Sequence, residues 1–135
     1  MNPNIQYSIS GELHPDELGD LLRSANMGPY SLQKLNHIIS GSTIYVTARD
    51  SGKLVGFGRM FTDRGTIAHI NNMSVSPDYQ RQGIGQVILE TLIKAAGDVN
   101  SIYLFTDTAD SLYIRNGFLP SNKRLYILRN PQKNK

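Results

Sequence analysis

The chain of 135 residues contains no cysteine. That absence excludes a disulfide framework, a zinc–thiolate site and an acyl-enzyme formed on a thiol. Long apolar runs are missing too: none approaches the roughly 20 residues that a membrane-spanning helix needs. The first residues, Met1-Asn2-Pro3-Asn4, carry neither a charged leader nor an apolar stretch, so cytoplasm is the expected compartment and no membrane partner is expected. No His, Asp or Glu cluster has the spacing of a metal site. Positive charge is scattered: 14 Lys and Arg stand against 11 Asp and Glu, a net charge of +3. Without a basic stripe or an aromatic platform, nucleic acid is not an expected partner. What remains is 39% hydrophobic content with mixed charge. That suits one hydrophobic core, and residues 1–135 are expected to form a single domain.

Residues 6–10 read as an edge strand. Pro15 opens a helical pattern carried by Leu18, Leu21, Leu22 and Ala25, broken at Met27-Gly28-Pro29. Ser31 is placed to cap a second helix with Leu32, Leu35, Ile38 and Ile39 on one face, stopped by Gly41. Three antiparallel strands follow. Residues 43–50 alternate Ile44, Val46 and Ala48 against Thr43, Tyr45 and Thr47; 54–62 come after the turn Asp50-Ser51-Gly52-Lys53; 66–75 come after Asp63-Arg64-Gly65. Ile84, Val87, Ile88, Thr91, Leu92 and Ala95 hold a helical stripe over 84–96, closed by Gly97. Residues 102–106 read as a short buried strand parallel to the one before that helix. Residues 107–116 read as a helix, and 118–120 with 125–129 as the final strands. The fold class is α+β, with a mixed antiparallel and parallel sheet flanked by helices.

Between the third antiparallel strand and the long helix lies Val75-Ser76-Pro77-Asp78-Tyr79-Gln80-Arg81-Gln82-Gly83-Ile84-Gly85. Two glycines, a basic residue and exposed amides at a helix start suit a pyrophosphate. A Walker A loop would need Lys-Ser or Lys-Thr after the glycines, and a dinucleotide fingerprint a third glycine near Leu89. The pattern Gln80-x-x-Gly83-x-Gly85 instead resembles the acetyl-CoA pyrophosphate loop of the GNAT superfamily of N-acetyltransferases. A second match, Leu112-Tyr113-Ile114-Arg115-Asn116-Gly117-Phe118, is similar to the segment that ends the helix after the fifth strand in those enzymes. The resemblance runs from about Thr43 to Leu128. It implies the GNAT architecture, in which the fourth and fifth strands splay and the acyl-pantetheine enters the gap. The backbone of Met73, Ser74 and Val75 would then pair with pantetheine. The amides of Gln80, Arg81, Gln82, Gly83, Ile84, Gly85 and Gln86 would hold the pyrophosphate. Thr106 stands where the family often has an asparagine on the pantetheine arm.

The resemblance further implies acetyl transfer from acetyl-CoA, a co-substrate, to a primary amine by direct attack in a ternary complex, with no metal. Such a transfer needs a neutral amine, and an alkylamine with a pKa of about 10.4 costs about 4–5 kcal/mol to deprotonate at pH 7. It also needs a proton for the departing thiolate. Tyr113, carried over from the family motif, is the expected general acid, since a phenol is protonated at neutral pH. His69 is the candidate base, acting through water, although an ordered water chain alone remains an alternative. Asn71 replaces the glutamate that many GNAT enzymes carry and is left to orient the water or the acceptor. By period-2 alternation His69, Asn71, Met73 and Val75 share one face, unless a bulge changes the parity. Tyr30 and His37 are candidates for the acceptor wall, against the plainer reading of surface or packing residues. Arg59 and Asp63 resemble an Arg-x-x-x-Asp pattern of some small bacterial members, which implies a place in shaping the acceptor cleft, against the plainer expectation of a surface ion pair. The acceptor is a small-molecule amine, for which the single domain gives a slight preference, or a peptide or protein amine. A homodimer is compatible with the family. The alternative function is a non-catalytic acyl-CoA-binding or protein-interaction module on the same fold.

Overall fold

The computed structural model describes residues 2–131. Five strands lie side by side in chain order: β1 (Ile5–Ile9), β2 (Ile44–Asp50), β3 (Lys53–Thr62), β4 (Ile67–Val75) and β5 (Ser101–Tyr103). The first four pair antiparallel, and β4 pairs with β5 in parallel. Helices α1 (Pro15–Ser24) and α2 (Leu32–Gly41) separate β1 from β2, and α3 (Ile84–Ala96) separates β4 from β5. The chain divides into two units, one running to Phe105 and the other starting at Thr106.

Local chemistry fixes the boundaries of the first unit. The Glu17 carboxylate accepts from the His14 backbone N–H at 3.0 Å, closing the start of α1 beside Pro15. The Ser31 hydroxyl accepts from the Lys34 N–H at 3.2 Å, as its place before α2 predicts. The β2–β3 hairpin turns on Ser51 and Gly52, both with positive φ (49° and 88°), the requirement of a type I′ turn. The β3–β4 turn is held by Asp63, whose carboxylate accepts from the N–H groups of Gly65, Thr66 and Ile67 and from the Thr66 hydroxyl.

The sheet is covered on both faces. On one, Leu18, Leu21, Leu22, Leu35 and Ile38 from α1 and α2 pack with Tyr45 and Phe57. On the other, α3 lies close over β2 and β3, and glycine makes the approach possible. A Cβ on Gly58 would stand 2.6 Å from Met73 Sδ and 2.9 Å from Ile88 Cγ2; one on Gly56 would stand 2.9 Å from Ile88 Cδ1. This sandwich corrects the expectation of alternation in β2: Ile44, Tyr45, Val46, Thr47 and Ala48 are all buried, because helices close both sides. Outside the core, Arg49 grips Glu17 with two hydrogen bonds of 2.8 and 2.6 Å and also donates to the carbonyls of Glu12 and Gly52. The Arg49 side chain holds the Glu17 carboxyl below its ordinary range.

In the second unit, α4 (Asp110–Arg115) starts later than expected. The Thr106 hydroxyl accepts from the N–H groups of Thr108 and Ala109, so residues 107–109 form a turn before the helix. The helix ends in a Schellman motif on Gly117 (φ 90°), with Gly117 N–H donating to Ile114 O and Phe118 N–H to Tyr113 O. Residues 118–120 and 125–129 are not strands, contrary to expectation. Leu119, Leu125, Tyr126, Ile127 and Leu128 are exposed, and strand-like composition alone does not make a ladder. The expected buried strand at 102–106 is likewise shorter, Ser101–Tyr103, and only half-buried at best.

Two outcomes test this packing. Gly58→Val overfills the β3–α3 contact and should lower stability by roughly 1–3 kcal/mol, read as a lower urea midpoint at unchanged slope. Because the Glu17 pKa is lowered in the fold, its pairing stabilises above the unfolded carboxyl pKa and is lost as pH falls through the lowered value. Glu17→Gln should therefore cost about 1.5–3 kcal/mol at pH 7 and flatten the acid decline of stability below pH 5. An unchanged acid decline would assign it to other carboxylates.

Candidate acyl-CoA and acceptor site

The end of the β4–β5 pairing is the first element of the site. Their pairing consists of Ile67 with Ser101, Ala68 with Ile102 and His69 with Tyr103. β4 then continues to Val75, so from Ile70 onward its β5-side edge has no strand beside it among the described residues. Backbone N–H and C=O groups on such an edge are ready partners for an extended ligand.

The second element is a β-bulge. Arg59 pairs with Asn71, and Phe57 with Ser74, so Asn72 and Met73 together oppose Gly58. Asn72 takes a left-handed conformation (φ 53°), which asparagine tolerates better than most residues. The extra residue changes the parity of the strand. His69 and Asn71 share the α1/α2 face with Phe61 and Arg59, whereas Met73 and Val75 turn toward α3, opposite Gly58 and Gly56. The expected common face of His69, Asn71, Met73 and Val75 is therefore corrected. Ser74, buried, is on the α1/α2 side and donates to Asn72 O at 3.2 Å. Asn71 is exposed, and its side-chain oxygen accepts from the Asn72 N–H at 2.7 Å.

β4 leads into the third element, a short 3-10 turn (Pro77–Tyr79) and the start of α3. The Tyr79 hydroxyl donates to Asp50 at 2.8 Å and ties this turn to the β2–β3 hairpin. Gln80 Nε2 reaches back to Val75 O at 3.4 Å. Arg81 (φ 63°) is exposed, and Gln82 accepts from the Asn2 side chain at 3.2 Å. Gly83 (φ 81°) is the N-cap and offers no capping side chain. The first intrahelical bond is Val87 N–H to Gly83 O, so the preceding amides have no acceptor within the helix. Gly85 lies in the first turn of α3. Ile84 is buried, which leaves its main chain to face a ligand, and Gln86 is half-buried. The positive end of the helix dipole adds to these amides, favouring an anion.

A polar and aromatic cluster lies on the α1/α2 face upstream of the bulge. Arg59 is half-buried; its Nε–H donates to Asn72 Oδ1 at 2.7 Å, and its guanidinium lies 4.9 Å from the centre of the Phe61 ring. Asn72, 9% exposed, also donates to Met27 Sδ. His69 stacks on Phe61 at 6.5 Å between centroids and meets Phe105 at 5.2 Å. Burial, and then the Arg59 charge, push the His69 pKa below its ordinary value, so this imidazole is neutral at pH 7 and able to accept a proton. Tyr30 is close enough to Arg59 to act on its charge. His37 is exposed on α2, away from the buried Leu35 and Ile38. The expected Arg59–Asp63 ion pair does not form, because the turn amides and Thr66 occupy Asp63. Asn72 escaped notice in the sequence; an asparagine inside a strand, where that residue type is depleted, was the available signal.

In the second unit, the Tyr113 ring is buried and meets Phe118 edge-on at 5.8 Å. Among the described residues its hydroxyl makes no hydrogen bond, and no fully buried side-chain N or O lacks a partner. Burial raises its pKa, keeping the phenol protonated at neutral pH.

The Acetyltransferase (GNAT) domain family matches residues 40–120, more than half of the chain. The uncharacterized N-acetyltransferase ycf52 of Porphyra purpurea is 31% identical over 123 residues, which cover 86% of this chain and 71% of that protein. Glucosamine 6-phosphate N-acetyltransferase of Schizosaccharomyces pombe is 35% identical over 74 residues, covering 50% of this chain and 67% of its own. Among solved structures, a probable acetyltransferase from meticillin-resistant Staphylococcus aureus superposes with a TM-score of 0.82 at 26% identity, covering 93% of this chain and 99% of the other. The chain belongs to the GNAT family of acetyltransferases and has its fold. Among the described residues no helix is long and apolar enough to cross a membrane.

The electrostatics of the cluster give a direct test. His69 should titrate below pH 6.5 in an NMR pH series, and Arg59→Gln, by removing a neighbouring positive charge, should move that midpoint up. A midpoint above 6.5, or a downward move in the variant, would contradict this arrangement.

Proposed function

We propose that the protein is a single catalytic domain that transfers an acetyl group from acetyl-CoA to a primary amine by direct attack in a ternary complex. The observation that carries this reading is β4 running past its last β5 partner into a glycine-capped helix start. An open strand edge followed by converging amides suits a ligand that is extended at one end and a diphosphate at the other. The residues fit it: Gly83 leaves no side chain in front of the helix, and Arg81 is exposed beside it.

Acetyl-CoA supplies an activated thioester. The backbone of Met73, Ser74 and Val75 holds its pantetheine arm, with Thr106 as a further contact, and the amides from Arg81 to Gln86 hold its diphosphate, the Gln80 N–H being taken by Pro77 O at 3.5 Å. His69, neutral at pH 7, takes a proton from the amine through water while the nitrogen bonds to the acyl carbon. Tyr113 gives its hydroxyl proton to the sulfur as the carbon–sulfur bond breaks. Asn71 has no basic group and orients water or acceptor. The lack of cysteine supports direct transfer over a thioester enzyme. Cytoplasm is the working compartment, and the acceptor is a small-molecule or peptide amine.

Thiol release from acetyl-CoA across polyamines, aryl-alkyl amines, aminoglycosides and peptides tests the reading. Tight acetyl-CoA binding with no turnover on any amine would instead mark a non-catalytic acyl-CoA-binding module, which Asn71 in place of a base would suit. On a true substrate, Tyr113→Phe should lower kcat about 100-fold or more and remove the alkaline limb of the pH profile. Full kcat with an unaltered alkaline limb would remove Tyr113 from the mechanism.

A further inference from the structure

The described residues include two half-buried arginines on the sheet, and they are treated differently. Arg49 is well paired: a carboxylate and two carbonyls take four hydrogen bonds from its terminal nitrogens. Arg59 has one hydrogen bond, from Nε to Asn72, and no carboxylate among the described residues lies within ion-pair distance. Its two terminal nitrogens carry four N–H donors with no acceptor among the described residues. Removing a cation from water without a counter-charge is unfavourable, yet the surroundings hold this one in place. Asn72, itself fixed by the bulge, orients the guanidinium edge, and Phe61 supports its face. Neither side chain in contact with it, Phe61 or Asn72, brings a negative charge. A guanidinium fixed through Nε presents its remaining fork as a unit, the geometry that matches carboxylate or phosphate oxygens.

We infer that Arg59 binds an oxyanion, carboxylate or phosphate, carried by the amine that is acetylated. This assignment rests on the proposed acetyl transfer for the amine. Arg59 and the candidate base His69 lie on one face of adjacent strands, in cross-strand register with Asn71 and Phe61 respectively. An anion on Arg59 would therefore anchor the acceptor beside the group that receives its proton. Asn72 acts as a positioning residue through Arg59.

Binding and chemistry are tested separately. Inorganic phosphate and acetate are titrated at constant ionic strength into the protein while the Nε–H resonance of Arg59 is followed. A saturable shift with either anion, with exposed Arg64 unmoved, is expected; no saturable shift with either overturns the inference. The arm that saturates separates a phosphate from a carboxylate site. Acetylation is then compared within matched pairs, glycine against glycinamide and O-phosphoethanolamine against ethanolamine. The anionic member should be preferred, and Arg59→Gln should cut that preference about 10- to 100-fold, with Arg59→Lys intermediate and both variants checked for an unchanged urea midpoint. Equal use of both members, or a preference that survives Arg59→Gln, overturns the inference. Saturable anion binding with no turnover on any amine would leave the anion site standing and defeat the acetyl-transfer reading instead.

Discussion

The extra residue in β4 is the constraint on which the site depends. Without the bulge at Asn72 and Met73, strict alternation would carry the face of His69 and Asn71 through to Val75. With it, the strand serves two purposes in succession. Its first half displays His69 and Asn71 beside Arg59 on the face of α1 and α2. Its second half turns Met73 against Gly58 under α3, where the strand is anchored by packing. The left-handed residue at the switch is also the one whose side chain fixes Arg59. Backbone geometry and side-chain placement are thus a single feature, and changing one disturbs the other.

The tight seating of α3 serves the same end. A helix N-terminus attracts an anion only if its amides are aimed and its position is fixed. Here the aim comes from Gly83 in a left-handed conformation, and the position from Ile84 and Ile88 packed over Gly56 and Gly58. The Tyr79–Asp50 bond fixes the intervening turn to the hairpin. The small residues of β3 and the loop glycines therefore act together, one set bringing the helix in and the other opening its end.

Much of this was legible in sequence because local rules governed it. The Asp50-Ser51-Gly52-Lys53 turn, the Ser31 cap, the α3 stripe and the stop at Gly97 each follow from residues a few positions apart. The loop motif pointed to the family, and the family to the splay. Three features were not legible. The parity of β4 depends on pairing with β3, so a single strand cannot reveal it. The burial of both faces of β2 depends on helices distant in sequence. Residues 125–129 have a strand-like composition, yet composition provides no neighbouring edge. The Arg59–Asp63 pairing failed for a nearer reason: Asp63 lies next to amides that satisfy it within its own turn, and local bonds displaced the longer contact.

The Arg59 charge reaches His69, and on the proposed mechanism that bears on proton transfer. Burial, and after it the Arg59 charge, weaken the hold of His69 on a proton. Alone, that keeps the imidazole neutral at the cost of its strength as a base. An anion held on Arg59 would cancel much of the neighbouring charge and raise the proton affinity of His69 as the acceptor arrives. The base would thus be weak in the empty site, where a bound proton would block it, and stronger once an amine is waiting to be deprotonated. A neutral acceptor would gain neither the anchor nor this rise in basicity, so discrimination would act on the rate of transfer as well as on binding.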